Sequence, residues 1–500
     1  MEHPEPAVVE VPMHQMREDA ERQEGRRDSE ESIDSLDGYT VDQALETIGF
    51  GRYQLKMICV LGFFGVADAV EIMLLSVLSP VLRCEWGLSQ FDLATLSTVV
   101  FAGMLVFGPI WGKMADKYGR WPTLWIVQFL LGWFGVLTAF SPTYHWLLFL
   151  RMMVGACVVG TGQSFILFAE MLPPKHRGKT LVLNQLFWAL GSFILIATAA
   201  IIIPQFGWRW LMVLTAVLAW ISLAFFRLVP ESPRYLLSVD RYDRALSVLQ
   251  KIARENNTSL PAGKLLQPAH QEQGKIKDMF SGPYRRLTIQ LFIVWFCMTF
   301  GYFGVVLGST EIVERTQMCD ISGNVVRTEE HVSINIEDCE CRPLSTDDYV
   351  TIIVGTLGEF GSLVINLLLM DRVGRKWTFV VNLIGCAGFT LLMNICTTRY
   401  LLSFFIMSSR MFMSAVGNVV FVYTSEVYPT TFRAVGLGTC NSFARIGSMI
   451  SPFVAQVLLA KSIPAALAVY ATVMLLTAIN CIFLPIETKG RHLPETGVFH

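Results

Sequence analysis

The sequence predicts an all-α membrane protein: twelve transmembrane helices in two pseudo-symmetric six-helix bundles. Three observations carry this. The 500 residues are 53% hydrophobic and 16% charged, where soluble chains hold about a quarter charged residues, and the mean hydropathy is +0.48. Twelve mostly apolar runs are each about 18 residues or longer, enough to cross a bilayer as helix. Three charged motifs then recur at a shift of 255–256 positions, once in each half of the chain.

In chain order, residues 1–52 read as a largely disordered tail, acidic and polar, with Ser29, Ser32 and Ser35 in "RRDSEESIDS" as kinase targets or simply a solvated run. No apolar signal-peptide core precedes the first span. The first bundle, 53–229, holds spans 57–82, 91–114, 121–141, 145–169, 180–203 and 208–229. A linker follows over 230–286, where Ala245, Leu246, Val248, Leu249 and Ile252 have helical apolar spacing. The second bundle, 287–485, holds spans 287–310, 348–370, 376–397, 400–424, 434–459 and 463–485, with a long loop at 311–347. A short tail, 486–500, closes the chain.

Loop charge sets the orientation. Lys113, Lys117 and Arg120 lie between spans two and three, and Lys175, Arg177 and Lys179 between four and five. The linker is also basic, whereas 311–347 is dominated by acids. Both termini are therefore expected in the cytosol, and the acidic loop on the luminal or extracellular side. That side would hold Cys84, Cys319, Cys339 and Cys341, the disulfide candidates, or a pair of free thiols at Cys339 and Cys341. The other seven of the eleven cysteines lie in apolar runs, as small hydrophobes. The sequon at Asn256 would be cytosolic and silent.

The repeats are specific. "GKMADKYGR" (112–120) is echoed by "MDRVGRK" (370–376), "EMLPPKHRG" (170–178) by "EVYPTTFRA" (426–434), and "PESPR" (from 230) by "PIETKGR" (from 485). Together they resemble the signatures of the major facilitator superfamily, in the branch of sugar porters and organic cation and anion transporters. "TVDQALETIGFGRYQ", "CEWGLS", "FGWRWL", "PESPRYLL", "YTSEVYPTTFRAVGLGTC" and "FLPIETKGR" resemble the synaptic-vesicle-two-related proteins over roughly 40–492. The resemblance implies two rigid bundles rocking about a site at mid-membrane. Under it, Asp116, Arg120, Glu170, Arg177, Asp371, Arg375, Glu426 and Arg433 read as an ion-pair gate. Such a gate closes the cytosolic side in one state and breaks in the other; the plainer reading is that these residues mark topology and hold loops.

Ionisable residues inside spans each cost roughly 2.5–3.5 kcal/mol on insertion scales and are functional candidates. Asp68 and Glu71 lie in span one, Arg151 in four, Glu359 in eight, Arg410 in ten and Arg445 in eleven. Gly438, Asn441, Ser442, Arg445 and Ser448 form one small polar face, where a guanidinium suits a carboxylate or other anion; in the organic-ion transporters it resembles, basic character there accompanies anionic substrates. The alternative is a permanent pair with an acid of the opposite half. Asp68 and Glu71, one turn apart, are read as sharing a proton that couples transport to a gradient, as binding an organic cation, or as standing in a static pair with Arg151 or Arg445. Glu359 shares a face with Gly355 and Ser362 and is expected to point into the bundle. Arg151 suits structural pairing or proton handling. Trp188, Tyr302 and Tyr423 are candidate cavity aromatics.

There is no P-loop, no G-x-S-x-G and no metal-ligand spacing, so neither an enzyme nor an ATP-driven pump is expected, and no cofactor. Composition also argues against a secreted enzyme or a nucleic-acid partner. The expectation is a monomeric secondary transporter or facilitator of small organic solutes, anions or zwitterions ahead of cations, in a plasma or vesicle membrane, with protons as a second partner. The competing class is a receptor or scaffold that keeps the fold without transport.

Overall fold

A computed structural model describes residues 38–267, 276–280, 282, 284–315, 344–429 and 433–489. Ser29, Ser32, Ser35, Cys319, Cys339 and Cys341, with most of the 311–347 loop, lie outside the described residues. A short helix α1 (Val41–Ile48) leads into the first bundle: α2 (Arg52–Trp86), α3 (Gln90–Tyr118), α4 (Arg120–Ala139), α5 (Tyr144–Thr161) continued by α6 (Gln163–Glu170), α7 (Pro174–Phe206) and α8 (Trp208–Ala224). The linker carries α9 (Pro233–Ser238) and α10 (Tyr242–Glu255). The second bundle comprises α11 (Tyr284–Arg315), α12 (Thr346–Arg372), α13 (Arg375–Leu392), α14 (Arg399–Val427), α15 (Arg433–Pro452) and α17 (Ile463–Ile482). A π-turn over Phe453–Leu458 and α16 (Leu459–Lys461) prolong α15.

Among the described residues, eleven helices have the length and composition of a membrane span. The twelfth position is filled by α13, 18 residues that open on Arg375 and Lys376 and pack against α14 and α17. The bundles meet along α3 with α15, α7 with α12, and α2 with α11. We call the end that holds Arg120 and Arg375 the motif face, and the opposite end the far face.

The two faces start their helices differently. Four helices that enter from the far face begin on Ser89, Thr143, Ser345 or Ser462, each side-chain oxygen accepting a first-turn N–H. At the motif face, α4 and α13 begin after Gly119 (φ 111°) and Gly374 (φ 93°), and their orphan amides are met by distant carboxylates. Glu231 accepts from the amides of Arg120 and Trp121, and Glu487 from those of Arg375 and Lys376. These glycines are required twice over, because a Cβ would sit 2.3 Å from the Glu231 carboxylate or 2.8 Å from that of Glu487.

The stretch 38–51, expected within a largely disordered tail, instead folds. β1 (Gly38–Tyr39) pairs in parallel with β2 (Lys264–Leu265), Gly38 opposite Lys264. Val41, Ala44, Leu45 and Ile48 of α1 are buried in one apolar cluster with Ala245, Leu249 and Ile252 of α10. The apolar spacing of α10 finds its partner in α1, which is why both order. Asn256 of the sequon is part of this joint: its amide donates to Gly49 O and Gln54 Oε1, and its Oδ1 accepts from the Tyr53 amide.

At the far face Cys84 and Cys396 are each disulfide-bonded. The placement of Cys396 corrects the expectation of a membrane thiol. Its span was drawn to residue 397, but α13 ends at Leu392 and the cysteine lies in the turn before α14.

Candidate functional site

The charges at mid-membrane sort into ion pairs and one couple that makes no ion pair among the described residues. Glu71 is 2% exposed and its Oε2 accepts from Arg151 Nη1 at 3.2 Å, an ion pair held wholly inside the first bundle. Three residues turn a helix through 300°, so Glu71 and Asp68 sit about 60° apart around α2. That offset aims Glu71 at α5 and at Gly135 of α4. Of the arrangements open for Glu71, the structure adopts the static pair.

The second bundle holds Glu359 in a larger network. Arg410 Nη2 donates to its Oε1 at 2.6 Å, and the Tyr302 hydroxyl donates to the same oxygen at 3.0 Å. The Trp188 indole N–H, from the first bundle, donates to the Tyr302 oxygen at 2.8 Å. The network therefore runs Trp188–Tyr302–Glu359–Arg410 and crosses between bundles. Arg410 Nη2 also touches the Met73 sulfur of α2 at 3.9 Å. Glu359 faces α14, its neighbours Gly355 and Gly358 lying against Ile406 and the Met407 carbonyl.

Asp68 and Arg445 behave otherwise. They lie on α2 and α15, in opposite bundles, and each is the charge acting most strongly on the other. Neither makes an ion pair among the described residues, and both stay half-buried. Asp68 Oδ1 is buried with no hydrogen-bond partner, and the Thr161 side chain of α5 lies beside the carboxylate. On the Arg445 face Asn441 and Ser442 are half-buried and Gly438 is exposed, whereas Ser448 is buried, so the face opens only from Arg445 toward the motif-face end. A space flanked by an unpaired acid on one wall and an unpaired guanidinium on the other can receive a polar solute.

Of the three aromatics, Trp188 and Tyr302 belong to the crossing network. Tyr423 does not line a cavity: it is fully buried in the second bundle, its hydroxyl donating to the Ile486 carbonyl at 2.7 Å and its ring edge-on to Phe379. Its position on α14 turns it toward α13 and the chain after α17.

The motif-face charges also depart from expectation. Arg120 pairs with Asp116 and, at 3.5 Å, with Glu170; Arg375 grips Glu426 through two nitrogens at 2.9 and 3.1 Å. Each pair lies within one bundle. Among the described residues no ion pair of these gate residues spans the two bundles; Asp116, Glu170 and Glu426 each meet an arginine of their own bundle. Asp371 is exposed, with no ion pair among the described residues. Arg177 and Arg234 both bind Asp42 of α1, whereas Arg433 donates to the Tyr428 carbonyl at 3.2 Å and has no carboxylate partner among the described residues. Burial, and then repulsion from Arg177 across the mouth, lowers the Arg433 pKa; burial and then Arg234 lower that of Arg177. Burial likewise raises the Glu231 carboxyl against the opposing effect of the amides it caps.

Polar contacts between bundles concentrate instead at the far face. Arg83 Nη1 pairs with Glu311 at 3.0 Å, Gln456 Nε2 donates to Ser79 Oγ at 2.9 Å, and Thr98 donates to the Met449 carbonyl at 2.9 Å. The rings of Phe91 and Phe453 meet at 5.5 Å. Sequence reading missed Arg83, Glu311, Glu231, Glu487 and Asp42. Only Glu231 and Glu487 left a trace, as the acid repeated in the "PESPR" and "PIETKGR" motifs.

The family model for sugar (and other) transporters matches residues 66–327 and 343–498. The human protein named "Putative transporter SVOPL" is 41% identical over 461 residues, covering 91% of this chain and 93% of its own. The synaptic vesicle 2-related protein of Bos taurus is 40% identical over 463 residues, 92% of this chain and 83% of its own. A partially occluded, inward-open structure of the xylose transporter XylE from E. coli superposes with a TM-score of 0.68 at 18% identity, covering 88% of this chain and all of that one. At that identity the likeness is one of fold.

Proposed function

Since the chain belongs to the sugar (and other) transporter family of the major facilitator superfamily, a family of multi-pass membrane transporters rather than enzymes, we propose that it is a secondary transporter or facilitator of small organic solutes working by alternating access. The solute sits between α2 and α15, contacting Asp68 and Arg445. One observation carries the reading: two opposite charges on opposite bundles, half-buried and without an ion pair among the described residues, face each other at mid-membrane. Leaving such charges unpaired costs several kcal/mol, which suits groups whose partner is cargo. Arg445 favours an anion or zwitterion; an organic cation held by Asp68 is the alternative. With Glu71 committed to Arg151, any proton carried by this pair of acids falls to Asp68.

The distribution of contacts supports an assignment of state. The far face is bridged by Arg83–Glu311 and its neighbours, whereas Arg177 and Arg433 repel at the motif face. With the basic loops in the cytosol, this is an inward-facing arrangement with both termini cytosolic. The relatives named for synaptic vesicles favour a vesicle membrane over the plasma membrane. The motif-face pairs then act within each bundle, fixing its helix ends so that it moves as one body.

Reconstituted into proteoliposomes, the protein should move at least one member of a panel of labelled organic anions, zwitterions and cations. Arg445→Gln should abolish anion and zwitterion uptake, and Asp68→Asn should abolish cation or proton-driven uptake. A scaffold role is favoured instead if no solute moves and both variants leave ligand-dependent thermal shifts unchanged.

A further inference from the structure

At the motif-face end of α11 and α17 a groove of about 470 Å³ opens sideways from the second bundle, lined by Arg285, Arg286, Ile289, Gln290, Ile293 and Asn480. Its volume lies within the roughly 300–1,000 Å³ of small-molecule sites. Arg285, Ile289 and Ile293 follow one another at intervals of four along α11, and Arg286, Gln290 and Ile293 at four and three, so one helix face presents both sets. The guanidiniums stand at the start of the helix, where a membrane span meets the headgroup layer. The isoleucines, 47% and 42% exposed, continue down the face that looks out into hydrocarbon.

The polar groups of the groove are under-used. Arg285 and Arg286 are exposed and have no carboxylate partner among the described residues; Arg286 reaches only the Phe483 carbonyl, at 3.5 Å. Gln290 is 8% exposed, and its Nε2 donates to the Phe483 carbonyl at 3.0 Å, while its Oε1 is buried with no partner. Asn480 donates to the Gln290 carbonyl at 3.1 Å. Two guanidiniums without a carboxylate among the described residues, one orphaned acceptor and an apolar wall below them define a ligand. It has an anionic phosphate, a headgroup donor beside that phosphate, and a hydrocarbon chain.

We propose that this groove binds one anionic glycerophospholipid. The phosphate lies against Arg285 and Arg286 by charge-assisted hydrogen bonds, a headgroup hydroxyl or ammonium donates to Gln290 Oε1, and an acyl chain runs along Ile289 and Ile293. At the matching end of the first bundle, Lys56 of α2 instead pairs with Glu255 of the linker.

Native mass spectrometry of the full-length protein, exchanged into equal amounts of phosphatidylserine and phosphatidylcholine of one chain length, tests this. The wild type should retain phosphatidylserine preferentially. Each arginine near a charged membrane surface contributes about 1 kcal/mol, so the double variant Arg285→Gln/Arg286→Gln should lower that preference about tenfold or more. Ile293→Trp, which fills the groove without changing charge, should lower it comparably, while Arg254→Gln on α10 should not. Wild-type preference in the double arginine variant overturns the proposal. So does loss in that variant with full retention in Ile293→Trp, which would indicate diffuse surface charge. Millimolar glycerophosphoserine should displace nothing; if it competes as well as the intact lipid, the groove is a site for soluble phosphate esters instead.

Discussion

Glu71 with Arg151 and Asp68 with Arg445 put the same chemistry at similar depth to different uses. The first pair lies inside one bundle, sealed from solvent and bonded at 3.2 Å. The second spans two bundles, half-buried and with no ion pair among the described residues. A charge enclosed with its counter-ion is part of the scaffold, since neither partner can leave without stranding the other. A charge that keeps access and no fixed partner is available for cargo. Residue type alone does not make this distinction; the helix that faces each carboxylate does.

The largest effect expected from this comparison is on the sealed pair. Arg151→Ala leaves Glu71 buried and uncompensated, which should destabilise the protein by about 3–5 kcal/mol, read as a collapse of the monodisperse peak in fluorescence-detected size exclusion. Combining Arg151→Met with Glu71→Leu should recover most of that loss. If the double change is no better than the single one, the pair is doing something other than neutralising itself. Next in size is Tyr302→Phe. It removes the link between the Trp188 indole and Glu359 Oε1, leaving a buried donor unsatisfied at about 1–3 kcal/mol. Because the link crosses between bundles, its loss should also change the rate of solute exchange, while Arg151→Met/Glu71→Leu should not.

Smaller still should be the stability cost of Asp68→Asn or Arg445→Gln, within about 1 kcal/mol by thermal unfolding, accompanied by loss of uptake. A cost as large as that of Arg151→Ala would erase the contrast and make Asp68 and Arg445 structural.

How much of this could be read from the chain follows from what periodicity encodes. The duplicated motifs gave the two bundles, because charged loops between apolar runs survive any error in span edges. Helical spacing placed Glu359 on the face of Gly355 and Ser362, and that face does meet α14. Spacing could not say that Glu71 pairs with Arg151 of α5 while Asp68, about 60° away, has no ion pair among the described residues and feels Arg445 of the other bundle; that depends on which helices neighbour α2. For the same reason Tyr423 looked like a cavity residue and the motif charges like a gate between bundles. Arg83 and Glu311 were passed over because they sit at span ends, where charges are commonplace. Cys396 was misplaced because Asn394 and the residues after it were averaged into an apolar window.

The smallest effect separates the two faces by titration. Glu231 caps α4 from the linker and is partly buried there, so its folded pKa lies above the ordinary carboxyl value of 4.5. Between that ordinary value and the raised folded one, the folded state binds more protons than the unfolded state. Stability contributed by this group therefore rises as pH falls through the folded pKa and levels off below 4.5. Glu231→Gln keeps an oxygen for the Arg120 and Trp121 amides but removes the titration, and should flatten this part of the stability-versus-pH curve. The serine and threonine caps of the far face cannot titrate, and Ser345→Ala should shift the whole curve down by about 1 kcal/mol without changing its slope. If Glu231→Gln instead shifts the curve in parallel, the carboxylate at the motif face acts as a neutral cap would, and the two faces differ only in the length of chain between cap and helix.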